Sequence, residues 1–331
     1  MDDVYLQKIK EIGSLEELIE FISPFYPNID IKEYTLDEIE TALFDKYFRL
    51  IGKIMIYSPQ IMRSFLKDFL LKYEVNNIKQ IILGTILNQN IKEKSKNVNF
   101  LVEEYLENTQ FIKDLLKLSS LDEIQLFLKE SKYNKAIREG ILYFKKNNEV
   151  YVLESFLDQL YYKNLIEKNY SFNKREKEMI NLFINYKSEI YNLNVIYRGL
   201  KNKIDIKILN QFLLDNYLFL NENKINYLLS LENEAELIQE LQRYLIKTKE
   251  LRPIFAKFGI NEKHLMISLE NIYLTYCFKK FHIKIGDIDN ITIYKILEIL
   301  IKKEYEIKFI ILPNVVRLSE QKYRKLKSYI E

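Results

Sequence analysis

Glu74-Val-Asn-Asn77-Ile-Lys-Gln-Ile-Ile-Leu83-Gly84 returns 115 positions later, without a gap, as Glu189-Ile-Tyr-Asn192-Leu-Asn-Val-Ile-Tyr-Arg198-Gly199. Glu, Asn, Ile and Gly coincide, and the aliphatic pairs Val75/Ile190 and Ile78/Leu193 agree; Leu83 stands where the second copy has Arg198. A weaker third copy, Lys303-Glu-Tyr-Glu306-Ile-Lys-Phe309-Ile-Ile-Leu312, lies a further 117 on when Glu306 is matched to Glu189, with Phe309 in place of Asn. A period of this length marks a repeated structural unit and has to be read before anything else.

Working outward, a second landmark precedes each copy: Ile39-Glu40-Thr-Ala-Leu43, Leu153-Glu154-Ser-Phe-Leu157 and Leu269-Glu270-Asn-Ile-Tyr273. Eight places on from the start of each come Tyr47-Phe48, Tyr161-Tyr162 and Cys277-Phe278. A third landmark carries helix-start chemistry. Ser14, Ser120 and Asn233 each stand three before a glutamate, Glu17, Glu123 and Glu236, the spacing in which cap and carboxylate satisfy each other's orphan N–H groups. Three landmarks in one order at nearly one period predict an internal triplication, with units at 1–106, 107–215 and 216–331.

Within a unit the apolar spacing is helical. Leu36, Ile39, Leu43, Tyr47, Leu50, Ile54 and Met55 share one face of a helix opening at Thr35, and Met62, Phe65, Leu66, Phe69, Leu70 and Tyr73 make the next stripe. No proline falls between Pro59 and Pro253, which removes the strongest helix breaker from that stretch. The fold class is all-α. Phe309-Ile-Ile-Leu312 is the one strand-like run, with Pro313 expected to end it.

The chemistry is that of a binding or structural protein. Two histidines, His264 and His282, and the single Cys277 do not make up a zinc site, and the seven glycines form no phosphate-cradling loop, so neither metal nor cofactor nor catalytic residue is expected. Glu40, Glu154 and Glu270, like Glu74, Glu189 and Glu306, recur once per unit, as structural signatures do. A carboxylate beside Asn77 or Asn192 offers donors and acceptors to tie two helices together, which Phe309 does not.

A net charge of +3 from 50 basic and 47 acidic residues gives no general field for nucleic acid. From Lys302 to Glu331, eight basic residues face four acidic ones, and Lys322, Arg324, Lys325 and Lys327 are the candidates for meeting an acidic partner or lipid headgroups. One cysteine fits a reducing compartment, the cytoplasm. The sequence carries neither a signal-like N-terminus nor an apolar run of membrane-spanning length.

The ordered pattern E-[IV]-x-N-[IL]-x-x-[IV] with its following Gly, the preceding [IL]-E-x-x-[LY], and the closing Lys303-Glu-Tyr-Glu-Ile-Lys-Phe-Ile-Ile resemble the C-subunit family of archaeal and bacterial V-type ATPases, equivalent to the eukaryotic d-subunit. The resemblance runs from about Tyr5 to Tyr329. Two departures stand out: Phe309 replaces the family's Asn, and only thirteen residues precede Ser14, where the family usually opens with an extra helix.

The resemblance implies a pseudo-threefold, all-helical funnel without an active site. It also implies a place between the central shaft of the soluble ATPase sector and the membrane proteolipid ring, peripheral at the cytoplasmic face, where the funnel couples ATP synthesis or hydrolysis to proton or sodium transport by rotation. The residues alone also fit a cytosolic helical-repeat scaffold or adaptor for other proteins.

Overall fold

The structure, a computed structural model, describes residues 8–32, 34–168, 170–285 and 292–320, apart from the side chains of residues 263, 282–285, 292, 294 and 309. The basic tail with Lys322, Arg324, Lys325 and Lys327 lies outside the described residues. Those residues contain helices and turns and no strand.

In chain order the α-helices are α1 Leu15–Ile22, α2 Leu36–Tyr57, α3 Gln60–Ile86, α4 Ile91–Lys96, α5 Phe100–Leu106, α6 Thr109–Leu116, α7 Leu121–Phe127 and α8 Asn134–Asn147. They continue with α9 Val150–Glu167, α10 Lys174–Asn202, α11 Ile206–Phe212, α12 Glu222–Leu229, α13 Glu234–Lys247, α14 Arg252–Phe258, α15 Leu265–Ile285 and α16 Thr292–Glu306.

The chain divides into two compact units, one of Met1–Pro59 with Lys295–Glu331 and the other of Gln60–Tyr294. In the first, α1 buries Leu15, Leu18, Ile19 and Ile22, and α2 buries Ile39, Leu43, Tyr47, Phe48, Ile51 and Met55. Both open on the predicted caps: Ser14 Oγ accepts the Glu17 N–H at 3.1 Å and Thr35 Oγ1 accepts that of Glu38 at 3.3 Å. The Lys303 ammonium stands 4.3 Å from the Tyr26 ring centre, and the Arg317 guanidinium donates to the Ile12 carbonyl at 3.1 Å.

The apolar run at 309–312 is not a strand. Ile307–Ile311 forms a π-helical turn in which the Leu312 N–H reaches back to the Ile307 carbonyl, and helix continues past Pro313 to residue 320. A proline lacks the N–H of the next α-type bond and crowds the carbonyl four places back; the wider turn just ahead of it removes that conflict.

The second unit is organised on two long helices, α3 of 27 residues and α10 of 29. Their buried positions run round more than one face, so each is packed by neighbours on several sides. α9 packs against α3 and α15 against α10. Rings fill the seam between the two long helices, where Phe65 and Phe69 of α3 meet Phe183 of α10 at centroid distances of 6.4 and 6.1 Å.

The 115-residue displacement holds in the detail of both helix ends. α3 closes with Asn88 at φ 54° and the Gln89 N–H on the Gly84 carbonyl at 2.8 Å; α10 closes with Lys203 at φ 55° and the Ile204 N–H on the Gly199 carbonyl at 2.9 Å. The chain then caps a short helix, α4 or α11, which crosses back over the glycine. A Cβ on Gly84 would lie 2.6 Å from Cγ of Lys94, and one on Gly199 would collide with Leu209, the residue displaced by 115 from Lys94. The repeated glycine therefore reflects a close helix crossing.

Candidate functional site

The signature helices α3 and α10 place their glutamates where no water reaches them. Glu74 and Glu189 are both 0% exposed. A buried carboxylate stands only if donors surround it, since leaving its charge unpaired costs several kcal/mol. The two copies recruit those donors differently.

At Glu74, the Tyr133 hydroxyl donates to Oε1, the Lys132 ammonium pairs with the same oxygen at 2.9 Å, and Asn108 Nδ2 donates to Oε2 at 2.5 Å. At Glu189, Oε2 accepts three successive backbone N–H groups, from Leu218 at 2.6 Å, Phe219 at 2.8 Å and Leu220 at 3.0 Å, while the Tyr273 hydroxyl donates to Oε1 at 2.5 Å. Burial, followed by the adjoining carboxylate, holds the phenols of Tyr133 and Tyr273 well above the usual tyrosine value, so both remain donors.

The asparagines act alike. Asn77 accepts the Asn99 N–H at 2.9 Å and donates to the Asn99 carbonyl at 3.0 Å; Asn192 does the same to Leu214, at 2.9 and 2.8 Å. In each case the gripped residue is 22 further along the chain. The amide thus substitutes for a backbone partner and pins the segment that follows the short crossing helix.

α10 and α15 are also tied reciprocally. Tyr186, three residues before Glu189, donates to Glu270, and Tyr273, three residues after Glu270, donates to Glu189. The Lys187 ammonium joins Glu270 at 2.8 Å. Cys277 is fully buried nearby, and that burial raises its thiol well above the ordinary range.

The glutamates of the second landmark have diverged in role. Glu270 is locked in the core, Glu154 is a quarter exposed and 3.7 Å from Arg198, and Glu40 is exposed. The Arg198 guanidinium lies 4.0 Å from the Tyr151 ring centre, so it joins the two landmarks of one copy. Position 71, displaced by 115 from Tyr186, is a leucine, so α3 has no phenol there to offer Glu154. Glu306 is nearly buried and pairs with Lys303 at 3.0 Å; the side chains of Phe309 and His282 lie outside those described.

All three predicted caps form. Glu123 donates its N–H to Ser120 Oγ at 3.2 Å and Glu236 donates to Asn233 Oδ1 at 3.0 Å, as Glu17 does to Ser14. The returning carboxylate, however, takes the N–H of the residue before the cap: Gly13 at 3.0 Å, Ser119 at 2.7 Å and Glu232 at 3.1 Å. The same variant of the box occurs at all three sites. Among the described residues no group of histidine, cysteine or carboxylate side chains is gathered to hold a metal ion.

Residues 1–312 match the family described as the ATP synthase (C/AC39) subunit. The chain belongs to that family. Three relatives are named as the C-subunit of an A-type ATP synthase: the Methanocaldococcus jannaschii protein, 24% identical over 221 residues, the Methanosphaera stadtmanae protein, 21% over 244, and the Thermoplasma volcanium protein, 23% over 283. The matches take in 64%, 73% and 81% of this chain and 53%, 61% and 78% of the respective relatives. The chain thus spans little more than half the length of the first of them. Among the described residues no helix is long and apolar enough to cross a membrane.

Proposed function

We propose that this chain is a non-catalytic connector of a rotary A/V-type ATPase, made of three homologous helical copies set around one axis. It joins the central shaft of the soluble sector to the proteolipid ring at the cytoplasmic face of the membrane. Family membership supports the complex; the repeat in three dimensions supports the architecture.

One observation carries the reading. The second-landmark helix packs on the signature segment of the preceding copy twice, α9 on α3 and α15 on α10, and α2 of the first copy packs on Ile307–Ile311 of the third. Partners that follow one another in cyclic order are what three copies around an axis require. The buried Glu–Tyr contacts lie at these boundaries, Glu74 with Tyr133 and Glu189 with Tyr273, where a torque-bearing part has to be stiff. The cyclic arrangement would leave the shaft and the ring opposite ends to hold. Lys322, Arg324, Lys325 and Lys327 would then be candidates for the acidic or headgroup contact.

The test separates coupling from mere attachment. Complexes stripped of this chain should retain ATP hydrolysis by the soluble sector and lose ATP-driven ion transport, which the purified chain restores. Ion transport that survives removal of the chain overturns the proposal.

A further inference from the structure

Glu103 on α5 touches the repeated contacts through Asn77 and has no equivalent at Asn192. It has no surface exposure. One oxygen accepts from Asn77 Nδ2 at 2.6 Å, and the other, Oε2, is buried without a hydrogen-bond partner. α5 packs against α3 and α6. From α3, Glu74 faces it with a like charge; from the turn ahead of α8 come Lys132 and Tyr133, both engaged with Glu74. α6 turns Lys113 outward and pairs Asp114 with Lys117 at 2.7 Å. On α5 itself Glu104 is exposed, and Glu107, the residue that caps its C-terminus, pairs with Lys67 of α3 at 2.8 Å.

An ionised carboxylate in this place would bury one unpaired oxygen beside a second carboxylate, with the nearest ammonium already committed. A neutral acid keeps the Asn77 bond through its carbonyl oxygen and buries no charge. We propose that Glu103 is a proton-binding site that holds its proton at neutral pH, and that loss of this proton loosens α5 from α3. Burial is the main cause; Glu74 adds to it, Asn77 and Lys132 oppose it, and the carboxyl is pushed up to about 8.

The sign follows from linkage. The folded carboxyl titrates above the unfolded one, which sits at about 4.3, so the stabilisation is complete below about pH 4.3 and is lost as pH rises to about 8, beyond which it no longer changes. The second copy has no counterpart. Leu218 occupies the position displaced by 115, and its backbone N–H donates to Glu189.

Hydrogen exchange of the full chain at pH 6, 7, 8 and 9 tests this, comparing the wild type with Glu103→Gln, which keeps an acceptor for Asn77 and cannot ionise. After correction for intrinsic exchange, opening of residues 99–108 should increase up to about tenfold per pH unit between pH 6 and 8 in the wild type and stay level in Glu103→Gln. Parallel pH profiles in the two proteins overturn the proposal. A second readout stands without the variant: the side-chain carboxyl carbon resonance of Glu103 in the wild type should titrate near 8, and a midpoint near 4 overturns the proposal.

Discussion

The cluster at Glu74 and the cluster at Glu189 start from the same residues and end with different chemistry. Each has a buried glutamate, an asparagine gripping the residue 22 places on, and a tyrosine from further along the chain. Glu189 is otherwise held by three backbone N–H groups, whereas Glu74 relies on the side chains of Asn108 and Lys132, the latter 47% exposed. Backbone donors fixed by the fold cannot rearrange when the carboxylate leaves; a half-exposed ammonium can return to water. Copies that share a motif therefore need not share its energetics.

The largest effect should be at Glu189. Glu189→Ala strands three N–H groups and a phenol in the core and should cost about 4 kcal/mol in chemical denaturation. Glu74→Ala should cost about 2 kcal/mol, because the half-exposed Lys132 is solvated afterwards and only Asn108 and Tyr133 are left without their partner. Alkylation of Cys277, which needs opening of its surroundings, should accelerate more in Glu189→Ala than in Glu74→Ala. Equal losses at the two glutamates would break the comparison.

The asparagines should behave alike at the backbone they grip. Asn192→Ala and Asn77→Ala each remove one donor and one acceptor from a buried backbone pair, at about 2 kcal/mol, with exchange protection falling first at Leu214 and Asn99 respectively, and Asn77→Ala should cost somewhat more because it also takes the hydrogen bond of Glu103.

The glycines should differ again. In Gly199→Ala the new methyl meets the branched end of Leu209, at about 2 kcal/mol; in Gly84→Ala it meets the Lys94 stem, which can shift, at about 1 kcal/mol. The smallest change is expected from Tyr273→Phe and Tyr133→Phe. Each removes one donor from a carboxylate that keeps others, at about 1 kcal/mol.

The correspondence of α3 with α10, the helices and their starts were legible because they rest on local pattern. Glu74, Asn77 and Gly84 recur as a block, and Ser14, Ser120 and Asn233 announce helix ends within four residues. What surrounds the glutamates was not legible, because Tyr133 and Tyr273 lie 59 and 84 residues away and are two of 25 tyrosines.

Glu103 follows Val102 and precedes Glu104 in what reads as an ordinary surface stretch; only the packing of α5 on α3 buries it. Lys94 shows the same limit. It fills the place of Leu209, its stem against Gly84 and its ammonium on the Leu118 carbonyl at 2.6 Å. The run 309–312 reads as a strand because a short apolar segment has no period long enough to separate strand from buried helix.

Capture of a tagged form of this chain from detergent-solubilised membranes of its source, followed by imaging of the particles, tests the central claim most directly. Shaft and proteolipid-ring subunits should be recovered together, with the chain seated between them and its three copies related by rotations of about one third of a turn. Recovery of neither set of subunits, or a chain bound at the periphery of the complex, would contradict it.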